Sequence, residues 1–276
     1  MEQAQQLVDR YFESTVGYWD DVYRERDLAA TVYQRRKEDT LKWMANLHLP
    51  DDSRIIDIGC GTGTTAVAIA RMGFSVCALD RVPAMLDQTR RHAQQGGVAG
   101  QVTPTLGDVS ALKFDDGSFD LTIALGLLPW VSNPVRALGE MLRVTKSGGH
   151  LILSSDNSYR LNYLLDPIEN PILAPVRKRV VESLRRAGLM RADGIVPVRM
   201  QSVSQFRRFL HAHNLQVVKE TTIGFGPFTF LRQSIFPGGS AIRLHNKLQS
   251  LADSKFPLLS ATGAHHLVLV RRRFTS

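Results

Sequence analysis

The chain reads as an α/β protein: a mostly parallel sheet with helices on both faces, an N-terminal helical cover, and a basic insertion after the fifth strand. Between residues 54 and 155, β-branched apolar runs alternate with helical stretches, the rhythm of βαβ units. The first run closes in "IIDIGCGTGTTAVAIA" (55–70), where a carboxylate, alternating glycines and an apolar helical pattern make a strand, a tight loop and a helix. After Ser155 the alternation stops and basic residues accumulate, which places the insertion.

Taken in order, residues 7–47 read as mainly helical. That run ends in "DTLKWMANLHLP", with Leu41, Met44 and Ala45 on one face and Pro50 as the stop. Strands are expected at "RIIDIG", "SVCALD", "QVTPTLGD", "FDLTIAL" and "GGHLILSS", with helices from Thr64, over 83–95 and over 133–143. Residues 156–200 carry Pro167, Pro171 and Pro175 around short apolar pieces, then the basic segment "VRKRVVESLRRAGLMR". A helix over about 204–213, capped by Ser202 or Ser204, leads to "LQVVKETTIGF" and "HHLVLVRR", a closing pair of strands separated by 226–262. The expected division is a cover (1–49), a Rossmann-like core (50–155), a basic insertion or substrate cap (156–203) and the rest of the core (204–276).

Composition narrows the function. The 276 residues can bury a full core, and 43% hydrophobic with 22% charged residues is ordinary for a soluble globular protein. The polar start is unlike a signal peptide, and no stretch approaches the roughly 18 apolar residues of a spanning helix. Cys60 and Cys77 make no disulfide framework and fit a reducing, cytoplasmic compartment. Charge is uneven: residues 1–150 hold 16 Lys and Arg against 19 Asp and Glu, and residues 151–276 hold 18 against 7. The second part, at +11, faces something anionic, whether substrate phosphate, nucleic acid or lipid headgroups.

The glycine loop poses a choice of cofactor. A dinucleotide fingerprint needs a third glycine at position 64, which is Thr64. The chain instead reads D-x-G-x-G-x-G, and Asp57 before the loop would repel a pyrophosphate yet suits the ammonium of S-adenosylmethionine (AdoMet). Asp80, ending the second strand, can accept ribose hydroxyls in either case. Asp108, after the third strand, is placed to read an adenine amino group, and Met85 to pack on the adenine face or simply in the core.

The set "IIDIGCGTG", "ALDRVPAML", "LGDVSALKFDDGSFDLTIAL" and "EMLRVTKSGGHLILSS" resembles the class I AdoMet-dependent methyltransferases in order and spacing over about residues 50–155. The resemblance implies a seven-stranded sheet whose last strand is antiparallel, and AdoMet contacts at Asp57, Gly59, Gly61, Asp80, Asp108 and Leu125. Cys60, Arg81, Met85 and Val109 complete the candidate cofactor set.

For the acceptor side, Leu127, Leu128 and Trp130 follow the fourth strand, and the N-terminal segment adds "YF" (11–12) and "GYWDDVY" (17–23). Such a segment covers the cofactor in related enzymes, so Tyr18 or Trp19 could face the sulfonium; helix packing explains them equally well. Asp156 and Asn157, just past the fifth strand, form a polar pair at the expected substrate mouth, with Asp156 the candidate catalytic residue. Catechol-type enzymes resemble this arrangement but need a further acid where this chain has Leu125-Gly126, so no metal is expected. His211 with His213 and His265 with His266 point to different faces and read as satisfied or surface histidines. Val176, Val180, Leu184 and Ala187 form an apolar stripe among Arg177, Lys178, Arg179, Arg185 and Arg186, the pattern of a helix lying on an anionic membrane or packing on the core. "SSDNSYRLNYLLDP" is loosely similar to ubiquinone-pathway O-methyltransferases around Asn157 and Arg160. The expectation is methylation of a hydrophobic, lipid-like small molecule at oxygen, with peripheral contact to an anionic inner-membrane surface. An RNA methyltransferase and a non-catalytic AdoMet-binding module are the alternatives; base-modifying signatures are absent, which disfavours nucleic acid.

Overall fold

Ile55 of the first strand packs into one apolar layer, while Ile56 and Ile58 pack into another. A strand buried on both faces is apolar nearly throughout, which is why "RIIDI" shows little alternation. A computed structural model describes residues 2–186 and 198–273 of the chain. Its strands are β1 (Arg54–Ile58), β2 (Ser75–Asp80), β3 (Val102–Leu106), β4 (Phe119–Ala124), β5 (Thr145–Asp156), β6 (Leu215–Ile223), β7 (Thr229–Phe230), β8 (Gln233–Ser234) and β9 (His265–Arg272). Seven form one sheet in the order β3-β2-β1-β4-β5-β9-β6. Every pair is parallel except those of β9, which runs antiparallel to β5 and β6. This is the seven-stranded sheet with an antiparallel last strand that the sequence led us to expect.

The cover consists of α1 (Glu2–Ser14), α2 (Val16–Asp21) and α3 (Leu28–Ala45). Helices α4 (Thr64–Ala70), α5 (Pro83–Gln95) and α6 (Pro134–Val144) join the strands. Trp43 and Met44 of α3, Ile69 of α4 and Ala93 of α5 cover one face of the sheet. Leu138 and Met141 of α6 cover the other, with Phe206 and Leu210 of a later helix. Helices therefore lie on both faces. The buried stripe of α3 differs from the expected one: Val32, Arg36, Thr40, Trp43 and Met44 turn inward while Ala45 is exposed. Arg36 and Thr40 are polar, so hydropathy alone places the stripe wrongly.

Helices α7 (Leu161–Leu165) and α8 (Ala174–Arg186) occupy the insertion, and α9 (Val203–Ala212) begins at a Ser202 cap. Of the expected apolar stripe, Val176 is 62% exposed; the side chains of Val180 and Leu184, like Ala187, lie outside the described residues, as do those of Arg185 and Arg186. Between β6 and β9 the chain makes a second excursion, for which the sequence reading held no elements. It contains the β7–β8 hairpin and α10 (Gly238–Asp253). Phe225, Phe228, Ala252 and Leu259 give it a small core, against which Leu161 of α7 packs. Asp166 joins the two excursions, its Oδ2 accepting from the Thr229 hydroxyl (2.7 Å) and the Arg232 amide (2.9 Å). Strand order reverses at β1, between β2 and β4, and a crevice opens beyond the strand ends there.

Candidate active site

At that crevice the loop after β1 turns through Gly59, Gly61 and Gly63, all at positive φ. A Cβ at Gly63 would stand 2.6 Å from Thr89 Cγ2, so a side chain would clash there. A Cβ at Gly61 would meet nothing within 4 Å, which leaves the space above that residue open to the cavity. Asp80 fixes the loop to the end of β2: Oδ2 accepts from the Gly61 amide (2.9 Å) and Oδ1 from the Val82 amide (3.0 Å).

Asp57 is 2% exposed and its Oδ2 has no hydrogen-bond partner. Burial, reinforced by the charge of Asp80 and opposed by Arg36, pushes its pKa up to about 7. Arg36 reaches the same cavity from α3; it is 5% exposed, makes no ion pair among the described residues, and leaves Nε without a partner. At the β3 end, Asp108 accepts from the Ser110 amide (2.7 Å) and pairs with Arg81 (3.1 Å), which also holds Asp9 of α1 (3.1 Å). The cover is thus tied to the loop region by charge.

The opposite wall is aromatic. Trp130 stacks on Tyr11 with centroids 5.6 Å apart and takes the edge of Phe12 at 5.1 Å. Phe12 meets Trp19, Trp19 meets Tyr33, and Tyr33 lies 5.7 Å from the ring of His265. At the end of this series Asp156 and His265 face each other across the β5–β9 pair, Nδ1 to Oδ1 at 2.9 Å. Arg160 stands 3.7 Å from the other carboxylate oxygen. Burial alone would raise the Asp156 pKa, but His265, Arg160 and Arg36 pull it to about 2.

All ten candidate cofactor residues line this cavity, and so do Trp19, Trp130 and Asp156. The structure does not bring the other three candidates there. Tyr18 is 48% exposed. Asn157 is buried in a structural role, its amide donating to the Ala261 and Gly263 carbonyls (2.9 Å each) while its oxygen accepts from the Tyr159 amide. Arg160 is braced on the Asn157 carbonyl (3.1 Å) behind Asp156. Sequence reasoning missed Arg36, Tyr33 and His265. His266 is held through Nε2 by Glu220 at 2.9 Å while its buried Nδ1 has no partner among the described residues, so it is only half satisfied, whereas His265 lines the cavity. The alternation of the two histidines along a strand was visible; which of them faces the site was not.

Comparison with known proteins agrees with this geometry. A family model described as a methyltransferase domain matches residues 56–153. A demethylmenaquinone methyltransferase of Renibacterium salmoninarum is 36% identical over 185 residues, covering 65% of this chain and 69% of that protein. The chain belongs to the class I AdoMet-dependent methyltransferases. A ubiquinone biosynthesis O-methyltransferase of Xanthomonas axonopodis pv. citri is 29% identical to this methyltransferase over 154 residues, 55% of this chain and 62% of its own length. Magnesium protoporphyrin IX methyltransferase from Synechocystis, solved with bound SAH, shares the fold at a TM-score of 0.64 and 16% identity, over 98% of this chain and 99% of that one. The enzyme uses AdoMet, and its residues fit that molecule. The unpartnered Asp57 Oδ2 and Arg36 Nε are an acceptor and a donor at one end of a cavity, where a methionine ammonium and carboxylate would satisfy both.

Proposed function

We propose that this methyltransferase transfers the AdoMet methyl group to a hydroxyl oxygen on a hydrophobic, lipid-like acceptor of the quinol type. The observation that carries the reading is the division of one cavity into a charged wall around the glycine loop and an aromatic wall that ends at the Asp156–His265 hydrogen bond, with Arg36 between the two, its guanidinium 4.9 Å from the centre of the Tyr33 ring. AdoMet supplies an electrophilic sulfonium methyl. On this reading Asp57 takes its ammonium, Arg36 its carboxylate, Asp80 the ribose hydroxyls and Asp108 the adenine amino group. Met85, Val109 and Leu125 supply apolar contact to the purine. Phe12, Trp19 and Trp130 bind a flat apolar ring and keep water from it. The quinone pathways named for two of the relatives support an acceptor of that kind. RNA fits less well, because among the described residues no Lys or Arg after residue 150 lines the cavity.

The same reading includes peripheral docking at an anionic membrane. No described helix is long and apolar enough to cross one. Phe230, Leu231, Ile235 and Phe236 of the β7–β8 hairpin region are each at least 40% exposed, and the part of the chain that carries them is basic.

Labelled AdoMet offered with a prenylated hydroquinone, the same ring without its chain, and total RNA tests the assignment. The prenylated ring should be methylated at oxygen, with a lower KM than the bare ring. Asp80→Ala should weaken AdoMet binding roughly ten- to a hundredfold, the loss expected of a hydrogen bond to a charged acceptor. Label on carbon or nitrogen alone, or on RNA with no phenol product, would overturn the reading.

A further inference from the structure

We propose that His265 is the general base that takes the proton from the acceptor's hydroxyl, with Asp156 as its positioning residue; this rests on the hydroxyl-directed reading above. The geometry has three parts. His265 is 7% exposed and lines the cavity on its aromatic side. Its Nδ1 is engaged by Asp156 Oδ1 at 2.9 Å, and among the described residues no hydrogen bond occupies Nε2. A carboxylate on Nδ1 fixes the tautomer with the proton there, so Nε2 presents a lone pair. The contact joins two paired strands in direct register, so ring and carboxylate are held by the sheet rather than by a loop.

The charged and titratable groups around the ring are Asp156 and Arg160 from β5 and the turn after it, with Arg36 and Tyr33 from α3. Burial pushes the His265 pKa down, Arg36 and Arg160 push the same way, and Asp156 opposes them. With two guanidiniums nearby, the pair at neutral pH is an Asp156 carboxylate and a neutral imidazole. The other candidates for the role fail. Burial keeps the Tyr33 phenol protonated, and it pushes the Cys60 thiol well above its ordinary value. Asp57 sits on the charged wall, beside Arg36 and the glycine loop.

In the step itself the O–H bond of the acceptor breaks and its proton passes to Nε2. The oxygen electron pair forms the O–CH3 bond while the S–CH3 pair stays on sulfur, giving the thioether. The resulting imidazolium is stabilised by Asp156 and returns its proton to water after product leaves.

Two independent measurements decide the proposal. Imidazole NMR on the parent enzyme with the demethylated cofactor bound needs no acceptor. It should show His265 neutral at pH 7.5, proton on Nδ1, and titrating below about 6.5. A cation at pH 7.5, or a proton on Nε2, would overturn the assignment. The second measurement is the pH profile of kcat/KM with prenylated hydroquinone, which should fall on the acid side as His265 protonates. His265→Gln should lower kcat/KM by about 10²–10⁴-fold and abolish that acid limb, with AdoMet affinity unchanged. Asp156→Asn should lose at least tenfold through the wrong tautomer. With 4-nitrocatechol, already largely ionised at the assay pH, the His265→Gln loss should shrink. Retention of the parent rate or of the acid limb in His265→Gln sinks the base. Failure of every phenol as acceptor sinks the hydroxyl reading instead, and the NMR result then stands alone for the dyad.

Discussion

At the scale of single residues, two buried carboxylates of one cavity are driven in opposite directions. Asp156 is held near 2 by His265 and two guanidiniums against its burial, while Asp57 is pushed to about 7 by burial and by Asp80. For Asp57 the sign is clear: between pH 4 and 7 the unfolded chain has released a proton that the folded protein retains. The ligand-free enzyme therefore loses stability from this group as pH rises through that window. The full effect above pH 7 is about 4 kcal/mol, and an unpaired buried amide in its place would cost about 1–3 kcal/mol. Asp57→Asn should thus stabilise the ligand-free protein by roughly 1–3 kcal/mol at pH 8 and destabilise it by about 1–3 kcal/mol at pH 4, where the parent carboxyl is already neutral, while losing the stabilisation that AdoMet gives the parent. Urea unfolding at both pH values, with and without AdoMet, measures this. A variant less stable at pH 8 than at pH 4 relative to the parent would show that Asp57 is not strained in the free enzyme. Asp57 and Asp80 were legible in the sequence because each ends a strand beside the glycine loop. Arg36 and His265 were not, because the groups that give them meaning lie far along the chain: Asp156 is 109 residues from His265.

At the scale of elements, legibility follows how local the stabilising contacts are. The start of α9 could be read from "QSVSQ", and the structure shows a capping box in which the Ser202 hydroxyl accepts from the Gln205 amide while the Gln205 side chain accepts from the Ser202 amide. Ser202→Ala should cost about 1 kcal/mol of stability, as loss of a cap usually does, with AdoMet affinity unchanged. An unchanged urea midpoint would mean that packing of Phe206 and Leu210 sets this helix end by itself. The inner strands β1 and β4 were equally plain, since both their faces are buried. Helix α10 was not, because its inward stripe is Ala241, His245, Gln249 and Ala252. His245 Nδ1 accepts from the Phe225 amide (3.1 Å), and Gln249 bonds the Gly224 amide and the Thr222 carbonyl (3.0 Å each). These side chains take the backbone hydrogen bonds of the bend after β6, so the stripe is polar for a reason that hydropathy cannot show. The same holds for α3, where Arg36 and Asp39 replace apolar residues on the buried face.

At the scale of the whole molecule, charge and apolar surface are both unequally distributed. Residues 1–150 are close to neutral and provide nearly all of the cavity lining, whereas residues 151–276 carry the excess of 18 basic over 7 acidic residues. The second part also exposes Phe230 (52%), Leu231 (51%), Ile235 (55%) and Phe236 (40%) around a hairpin that Asp166 fastens to the insertion. Phe236 packs edge-to-face with Phe228 of the small core (centroids 5.8 Å) but leaves 40% of its surface exposed, as Phe230 leaves 52%, and a polynucleotide backbone would make no use of that apolar surface. A bilayer interface would use the rings and the surrounding charge together. The enzyme should therefore co-sediment with vesicles containing anionic lipid, less so at 0.5 M salt, and hardly at all with zwitterionic vesicles. Each buried Phe contributes on the order of 1.5–3 kcal/mol, so replacing Phe230 and Phe236 together by Ser should weaken vesicle binding at least tenfold. AdoMet affinity should be retained, because neither ring lines the cavity. Equal sedimentation of parent and variant would remove the hairpin from any membrane contact. Sedimentation of neither, with salt-sensitive binding of RNA by both, would assign the basic half to nucleic acid instead.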